Sequence, residues 1–505
     1  MIRFYAQCLL YFVITWGVYL IFADFAALKL NTADASTYLN IAENIVSHKG
    51  FVVSFDLYQF FSGHYHPLWP FMHPIYPLLC SLVFLVHGGI EQVIRLNIII
   101  LGLNAALIFY IAQRYISSRF NVLFLVFVIF SFNFFYSAIF PWTEQLHLLI
   151  FLICFILFLK FPNQPRALWW VGVLNAVLFL IRVSHIYSIA AYLFIICVSE
   201  EKIQQRLKNA LIFIFGFLIV MGPYQLFNWV NYHTFYPEYL KPAADYTLAR
   251  VSNLAYYHLG HIGIINPQGF KHSAIQITYF YEHMMGLSKC FLLFLIPAMT
   301  YLTFTRVKNE GRFFVLNCLC QAFFIVLGYS YSFCWNPSLE TLRYSLIPFV
   351  LVSLAGWFCL YQLCFVPANL WKRLFGVLVL SGMILSALSQ YFNVRQEFMN
   401  HSRSRDPYYI NLYQCYQWID QHLPRDILVA SNEDQEGYFM HRPYISLPTR
   451  PSFSCKNLAV YNSIYAPDFY VLSAPVPDTC FARIAHNVIF SNKSFRILAI
   501  KKEKS

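Results

Sequence analysis

Charge is what this sequence has least of. Only 11% of its 505 residues are Asp, Glu, Lys or Arg, against about 25% in an ordinary soluble domain. With a mean hydropathy of +0.54, most of the chain is built to be solvated by lipid. Glycine is scarce too, at 19 residues, and no glycine-rich phosphate loop is present, which excludes a P-loop or dinucleotide cradle. Thirteen cysteines include no CxxC metal spacing. Most stand inside apolar runs, where cysteine acts as a small hydrophobe. Cys318 and Cys320 read as packing residues within a span, and Cys455 and Cys480, in the polar C-terminal region, are able to pair if that region faces an oxidising compartment. No internal repeat or low-complexity tract is found. The amino end lacks a short apolar stretch with a small-residue cleavage site, so Met1, Ile2 and Arg3 ahead of an apolar run read as a signal anchor.

What is present is a series of apolar runs of membrane-crossing length. Eleven spans are expected, at about 5–28, 92–113, 121–140, 145–160, 167–182, 186–199, 209–229, 288–305, 313–333, 344–365 and 374–391. The net charge of +12 comes from cations in short inter-span loops: Arg114 and Arg119, Lys160 and Arg166, Lys202, Arg206 and Lys208, Arg306, Lys308 and Arg312, Lys372 and Arg373. They fall on one side when the amino terminus is cytoplasmic, as the positive-inside rule requires. The surplus therefore speaks for lipid headgroups and orientation, and no nucleic-acid partner is expected. The pair of short spans at 167–199, hinged near Arg182 and His185, decides the orientation of everything after it; merging them would turn the later basic loops outward.

This threading gives a membrane domain over 1–391 with outer loops at 29–91 and 230–287, and an extracytoplasmic domain over 392–505. The run 73–86 is about 14 residues, too short to cross, and suits a re-entrant or interface helix. The final segment is polar, with short β-branched or aromatic runs broken by Pro, Asn and Asp, which predicts a small mixed α/β domain.

Candidate chemistry begins at Asp34, directly after the first span. Asp34, Tyr38, Ile41 and Ile45 fall at i, i+4, i+7 and i+11, and predict an amphipathic helix along the membrane surface with the acid at its start. An N-cap is the simpler role for such an Asp, worth about 1 kcal/mol. Arg182 and Arg343 lie at span ends. Intramembrane Arg costs roughly 2.5–3.5 kcal/mol on insertion scales, and its planar fork suits phosphate. For Arg182 the competing reading is a hairpin-tip residue reaching the surface, and for Arg343 an ion pair with Glu340. Glu144 would orient Arg182 or Tyr38, or simply solvate a loop. His64, His66 and His73 admit a divalent metal in the first outer loop, although they have no carboxylate in register and stand among aromatic residues such as Tyr65 and Trp69.

In order along the chain, Asp34 with "A-x-x-Y-L-x-I-A-x-N-I", Gly50-Phe51, His73-Pro74-x-Tyr76-Pro77, Thr143-Glu144-x-Leu146, Leu180-Ile181-Arg182, Leu342-Arg343-Tyr344 with Pro348, and Val429–Arg450 with Arg442-Pro443 form a set. This set resembles GT-C fold glycosyltransferases of the protein O-mannosyltransferase and aminoarabinose transferase superfamily. The resemblance covers nearly the whole chain through short motifs that are specific only as an ordered set. Asp34 is followed by Ala35 where several branches carry Glu, so it does not extend to a paired carboxylate.

The resemblance implies an all-α polytopic membrane domain with a small C-terminal α/β domain. It further implies an inverting glycosyltransferase that moves a sugar from a polyprenyl-phosphate donor to a hydroxyl of a glycan, lipid or protein acceptor. Asp34 would be the general base, and Arg182 and Arg343 would bind the donor phosphate. Tyr38, Glu144, His73, Tyr76 and Tyr344 would support them. No cofactor is required by this scheme, and a metal is used by some relatives. The expected location is a bacterial inner membrane, amino terminus cytoplasmic and tail periplasmic. The competing reading is a polyprenyl-lipid flippase without catalysis. Transporters bind at the bilayer midplane between repeats, and the lack of repeats and the polar mass outside the membrane weigh against it.

Overall fold

A computed structural model of the chain describes residues 2–20, 33–51, 55–56, 73–116, 118–131, 134, 137–198, 202–232, 309–332, 345–366, 369–400, 407–424, 427–431, 444–446, 467–473 and 486–500. In chain order the helices are α1 (Ile2–Leu20), α2 (Ala33–Val46), α3 (Ile75–Leu85), α4 (Ile90–Tyr115), α5 (Ser118–Phe130), α6 (Glu144–Lys160), α7 (Pro165–Ile181), α8 (Ile186–Val198), α9 (Ile203–Tyr232), α10 (Asn309–Ser332), α11 (Leu346–Leu360), α12 (Leu370–Asn400) and α13 (Pro407–His422). The strands are β1 (Phe55–Asp56), β2 (Val429–Ser431), β3 (Tyr444–Ser446), β4 (Phe469–Ser473), β5 (His486–Ser491) and β6 (Phe495–Ile500). The chain divides into two units, Met1–Ile21 with Arg95–Arg395, and Phe22–Ile94 with Gln396–Ser505.

The first unit is a helical membrane bundle. Among the described residues four stretches are long and apolar enough to cross a bilayer: Ile90–Tyr115, Ile203–Val230, Glu310–Gly328 and Leu346–Phe365. They differ in how deeply they are enclosed. Every residue of α11 is buried, as expected of a helix hydrophobic all round and enclosed by others. On α9, Leu207, Leu211, Phe215 and Leu218 are exposed, a face suited to hydrocarbon. Aromatic rings knit the bundle: Tyr115 of α4 stacks on Phe314 of α10 at 4.0 Å, and Phe124 of α5 meets Trp357 of α11 at 5.2 Å. Tyr19 of α1 donates its hydroxyl to Ile129 O of α5. The segment 121–140, read as one span, is not one continuous helix: α5 ends at Phe130 and Ser131 is a bend. There Ser131 Oγ donates to Val128 O at 2.6 Å, and further on Ser137 Oγ donates to Phe134 O at 3.1 Å, local bonds of the kind that compete with helix.

The break between 167–182 and 186–199 is real, and the chain reverses there. Tyr192 of α8 meets Phe158 of α6 at 5.0 Å and Phe213 of α9 at 6.1 Å. Gly172, in the middle of α7, lies against the same Phe213. Equal levels at 172 and 192, with the turn at 182–185, make α7 and α8 antiparallel. The close approach of α7 to α9 rests on two reciprocal glycines. A Cβ at Gly172 would stand 2.1 Å from Phe213 O, and one at Gly216 would stand 2.3 Å from Trp169 O. Such small-residue notches are how membrane helices bring backbones together.

The second unit holds a six-stranded mixed sheet in the order β1-β3-β2-β4-β6-β5, parallel from β1 to β4 and antiparallel from β4 to β5. The helix α13 covers it with Leu412, Cys415, Tyr416 and Ile419, spaced i, i+3, i+4, i+7, against Val429, Val471, Phe495 and Ile497. Burial pushes the Cys415 thiol up to about 12, so it packs as an apolar side chain. Asn492 closes the β5–β6 turn: its Oδ1 accepts from Ser494 N and Phe495 N at 3.0 and 2.8 Å, and its Nδ2 donates to Asn411 O of α13 at 2.7 Å. The two-residue β1 comes from the first long loop and pairs with β3, a link that no period in the sequence announces.

Also in this unit, α2 and α3 pack together, with the Tyr38 and Tyr76 rings edge to face at 5.2 Å. The run 73–86 is an 11-residue helix over Ile75–Leu85 with Leu78, Leu82 and Leu85 exposed on one face. At 1.5 Å per residue it is about half of a bilayer core. α2 differs from the expected surface helix: its apolar stripe is buried, but Ser36, Thr37, Asn40 and Asn44 are buried as well. Their polar groups are short and bond nearby, Asn44 Nδ2 donating to Asn40 Oδ1 at 3.2 Å, so a hydropathy pattern counts them as solvent-facing when they are not.

Candidate functional site at the start of α6

The sequence Pro141–Leu148 places four polar side chains, Thr143, Glu144, Gln145 and His147, at the start of α6, and their partners come from several elements. Gln145 is held from α4. Asn104 Nδ2 donates to Gln145 O at 2.9 Å and to Gln145 Oε1 at 2.8 Å, while Gln145 Nε2 donates to Phe134 O at 2.9 Å and Ser137 Oγ at 2.7 Å. Asn97, two helical turns before Asn104, donates to Phe140 O at 2.7 Å. Buried amides thus pin the non-helical segment ahead of α6, where backbone groups lack helix partners.

Glu144 and Thr143 face the α7–α8 turn. Glu144, 3% exposed, forms an ion pair with Arg182 Nη1, and Thr143 Oγ1 lies 3.4 Å from the same nitrogen. Arg182 is the residue at which α7 ends. Its backbone is extended, its N–H donates to Leu178 O, and its carbonyl accepts from His185 N. The guanidinium is 13% exposed. Of the partners considered for Glu144, the ion pair is with Arg182, and the carboxylate is a buried counter-charge to it. Breaking such a pair from one side leaves an uncompensated charge, at about 3–5 kcal/mol. His147, one turn beyond Glu144, hydrogen-bonds His185 at 3.0 Å, and His185 reaches Asn175 at 2.8 Å.

In the other unit, Asp34 lies in the first turn of α2, where the helix dipole favours a carboxylate. It is partly exposed, in contrast to the buried residues 35–42 that follow it. Tyr38 is one turn on, buried, and its ring meets Tyr76. His73 stands just before α3 and is partly buried. The structure therefore assembles Glu144 with Arg182, and Tyr38 with Tyr76, each pair inside one unit. Arg343, Tyr344, His64 and His66 lie outside the described residues, as do the span 288–305, the segment 233–287, Cys455, Cys480 and Arg442. Among the described residues, no group of three His, Cys, Asp or Glu side chains is arranged to hold a metal. His147, His185 and Asn175 were not singled out for chemistry from the sequence. The available signal was a His three residues after Glu144 and another three residues after Arg182, so that the two pairs form successive rungs.

No family profile and no curated protein matches the sequence. Solved structures do. The chain is similar to ArnT from Cupriavidus metallidurans, in its apo state and bound to undecaprenyl phosphate, with a TM-score of 0.57 and 13% identity, covering 96% of this chain and 97% of that one. It is also similar to the arabinofuranosyltransferase AftD from Mycobacteria, at TM-score 0.54 and 10% identity, spanning 98% of this chain but 40% of AftD. At these identities the likeness establishes architecture. The chain is an integral membrane protein with the GT-C fold.

Proposed function

We propose that this chain is a membrane glycosyltransferase that transfers a sugar from a polyprenyl-phosphate donor to an acceptor hydroxyl, with inversion at the anomeric carbon. What carries the reading is the buried Glu144–Arg182 pair at a helix reversal in a chain that shares the GT-C fold along its whole length. An Arg kept in place by a buried carboxylate inside a membrane bundle is costly unless it serves a ligand. The ligand named for the similar ArnT structure, undecaprenyl phosphate, has the charge and geometry that a guanidinium fork binds.

In this scheme the carboxylate of Asp34 takes the proton of the acceptor hydroxyl. The hydroxyl oxygen bonds to the anomeric carbon, and the bond from that carbon to the phosphate oxygen breaks with its electron pair going to the lipid phosphate. Arg182, and Arg343 with it, neutralise the charge that collects on the departing phosphate. Tyr38 and Tyr76 brace the helix that carries Asp34. Glu144 holds Arg182, and Tyr344 and His73 have supporting roles. The reaction takes place on the extracytoplasmic face of an inner membrane, with an eleven-span topology and the sheet unit outside, and the acceptor is a glycan, lipid or protein hydroxyl.

The test is transfer from radiolabelled polyprenyl-phosphate sugar by protein reconstituted in nanodiscs. Asp34→Asn is expected to lose at least about 100-fold in turnover, within the usual range of about 10²–10⁴ for a general base, with membrane insertion unchanged. Full turnover by Asp34→Asn removes the base assignment.

A further inference from the structure

Beside the Arg182 site lies a hydrogen-bonded chain of three buried side chains from three elements: His147 on α6, His185 in the turn Val183–His185, and Asn175 on α7. They are 4%, 1% and 0% exposed. Each link has a direction that chemistry fixes. Asn175 Nδ2 donates to Val171 O at 2.7 Å and lies 3.2 Å from Cys154 Sγ, so its Oδ1 is the atom turned to His185. That oxygen only accepts, so His185 Nε2 carries the proton of the 2.8 Å bond. His185 Nδ1 is then the acceptor, and the proton of the 3.0 Å bond between the rings sits on His147 Nε2. Both imidazoles are locked into one tautomer by an amide nearly two helical turns from the ion pair.

We infer that His147, His185 and Asn175 are positioning residues that hold Arg182 in place for the donor phosphate; this rests on the glycosyltransferase reading above. The physical link is short. His185 N donates to Arg182 O at 3.0 Å, and His147 N donates to Thr143 O at 2.9 Å, so each ring belongs to the turn next to one partner of the ion pair. Glu144–Arg182 and His147–His185 are consecutive rungs between α6 and the α7–α8 turn. The first rung alone would let the long Arg side chain swing with the turn. The second, made of rings with few torsions and anchored to α7 through Asn175, fixes the turn itself. While His147 keeps its proton on Nε2, a proton added to His185 Nδ1 would set donor against donor and open the rung.

Two measurements test this. The first is the ¹⁵N spectrum of histidine-labelled protein in nanodiscs at neutral pH. His185 is expected with Nε2 protonated and a bare Nδ1, and His147 with a proton on Nε2. A proton on His185 Nδ1 overturns the inference whether or not any variant folds. The second is binding of polyprenyl phosphate and the steady-state kinetics of transfer. His185→Leu and His147→Leu are expected to raise the donor KM about tenfold while leaving the acceptor KM unchanged. His185→Gln, which keeps an acceptor and a donor in the same order, is expected to recover to within about threefold of wild type; these ranges follow from the net worth of one buried hydrogen bond. Leu variants with wild-type donor KM, equal changes in donor and acceptor KM, or a Gln variant no better than Leu overturn the positioning role. Absence of polyprenyl-phosphate binding by the wild-type protein is a different result: it overturns the glycosyltransferase reading, and the phosphate role of these residues with it.

Discussion

Asp34 and Glu144 are both carboxylates in the first turn of a helix, and both follow a stretch that reads as loop. Their surroundings differ. Glu144 is buried and ion-paired with Arg182, with Gln145 and His147 beside it committed to further buried bonds. Asp34 is partly exposed at the head of a helix whose next eight residues are buried. One carboxylate is enclosed and the other is partly open. The same residue type at the same helix position is thus buried and ion-paired in one unit and partly exposed in the other. The decisive variable is access, since a base must reach the proton that it removes.

This contrast can be broken by exchanging what each acid loses. Asp34→Asn is expected to remove most transfer and leave thermal unfolding in detergent unchanged. Glu144→Ala should do the reverse in kind, lowering stability by about 3–5 kcal/mol because the Arg182 charge is stranded. In the double variant Glu144→Leu with Arg182→Leu, stability is expected to return while polyprenyl-phosphate binding does not. If Glu144→Ala unfolds at the wild-type temperature, the scaffold half of the contrast fails. Gly172→Val sharpens the comparison by perturbing the scaffold with no change in charge. Its side chain would meet Phe213 O, and a loss of about 1–3 kcal/mol with unchanged Asp34-dependent chemistry in the folded fraction is expected. The smallest effect belongs to the sheet unit. Asn492→Ala removes the turn's acceptor and the tie to Asn411, and about 1 kcal/mol is expected in chemical denaturation, with transfer intact.

Much of the bundle could be read from the residues. The break near Arg182 was visible because two apolar runs flank a basic and polar step, and the structure shows the chain reversing there. The Thr143-Glu144 start of α6 was visible as a polar step into an apolar run. The role of Glu144 was left open between orienting Arg182, orienting Tyr38 and solvating a loop, because a sequence carries no distance between α6 and the α7–α8 turn. The His147–His185 rung was missed for a related reason: His185 reads as part of the hinge near Arg182, and nothing in the sequence places it beside His147. The covered polar side of α2 was also missed, since Ser, Thr and Asn count as wet in any periodic pattern.

The sequence by itself determined that the chain lives in lipid and which residue types are too costly to bury without purpose. Those are properties of composition and period, set by the free energy of transfer of each side chain. Tertiary structure alone decided which buried polar group answers which. It sent Arg182 to Glu144, oriented both imidazoles through Asn175, and brought Phe55–Asp56 to the edge of a sheet made otherwise from the last fifth of the chain. Hydrogen bonds and ion pairs act over a few ångströms between atoms far apart in sequence, so their partners exist only once the helices have packed.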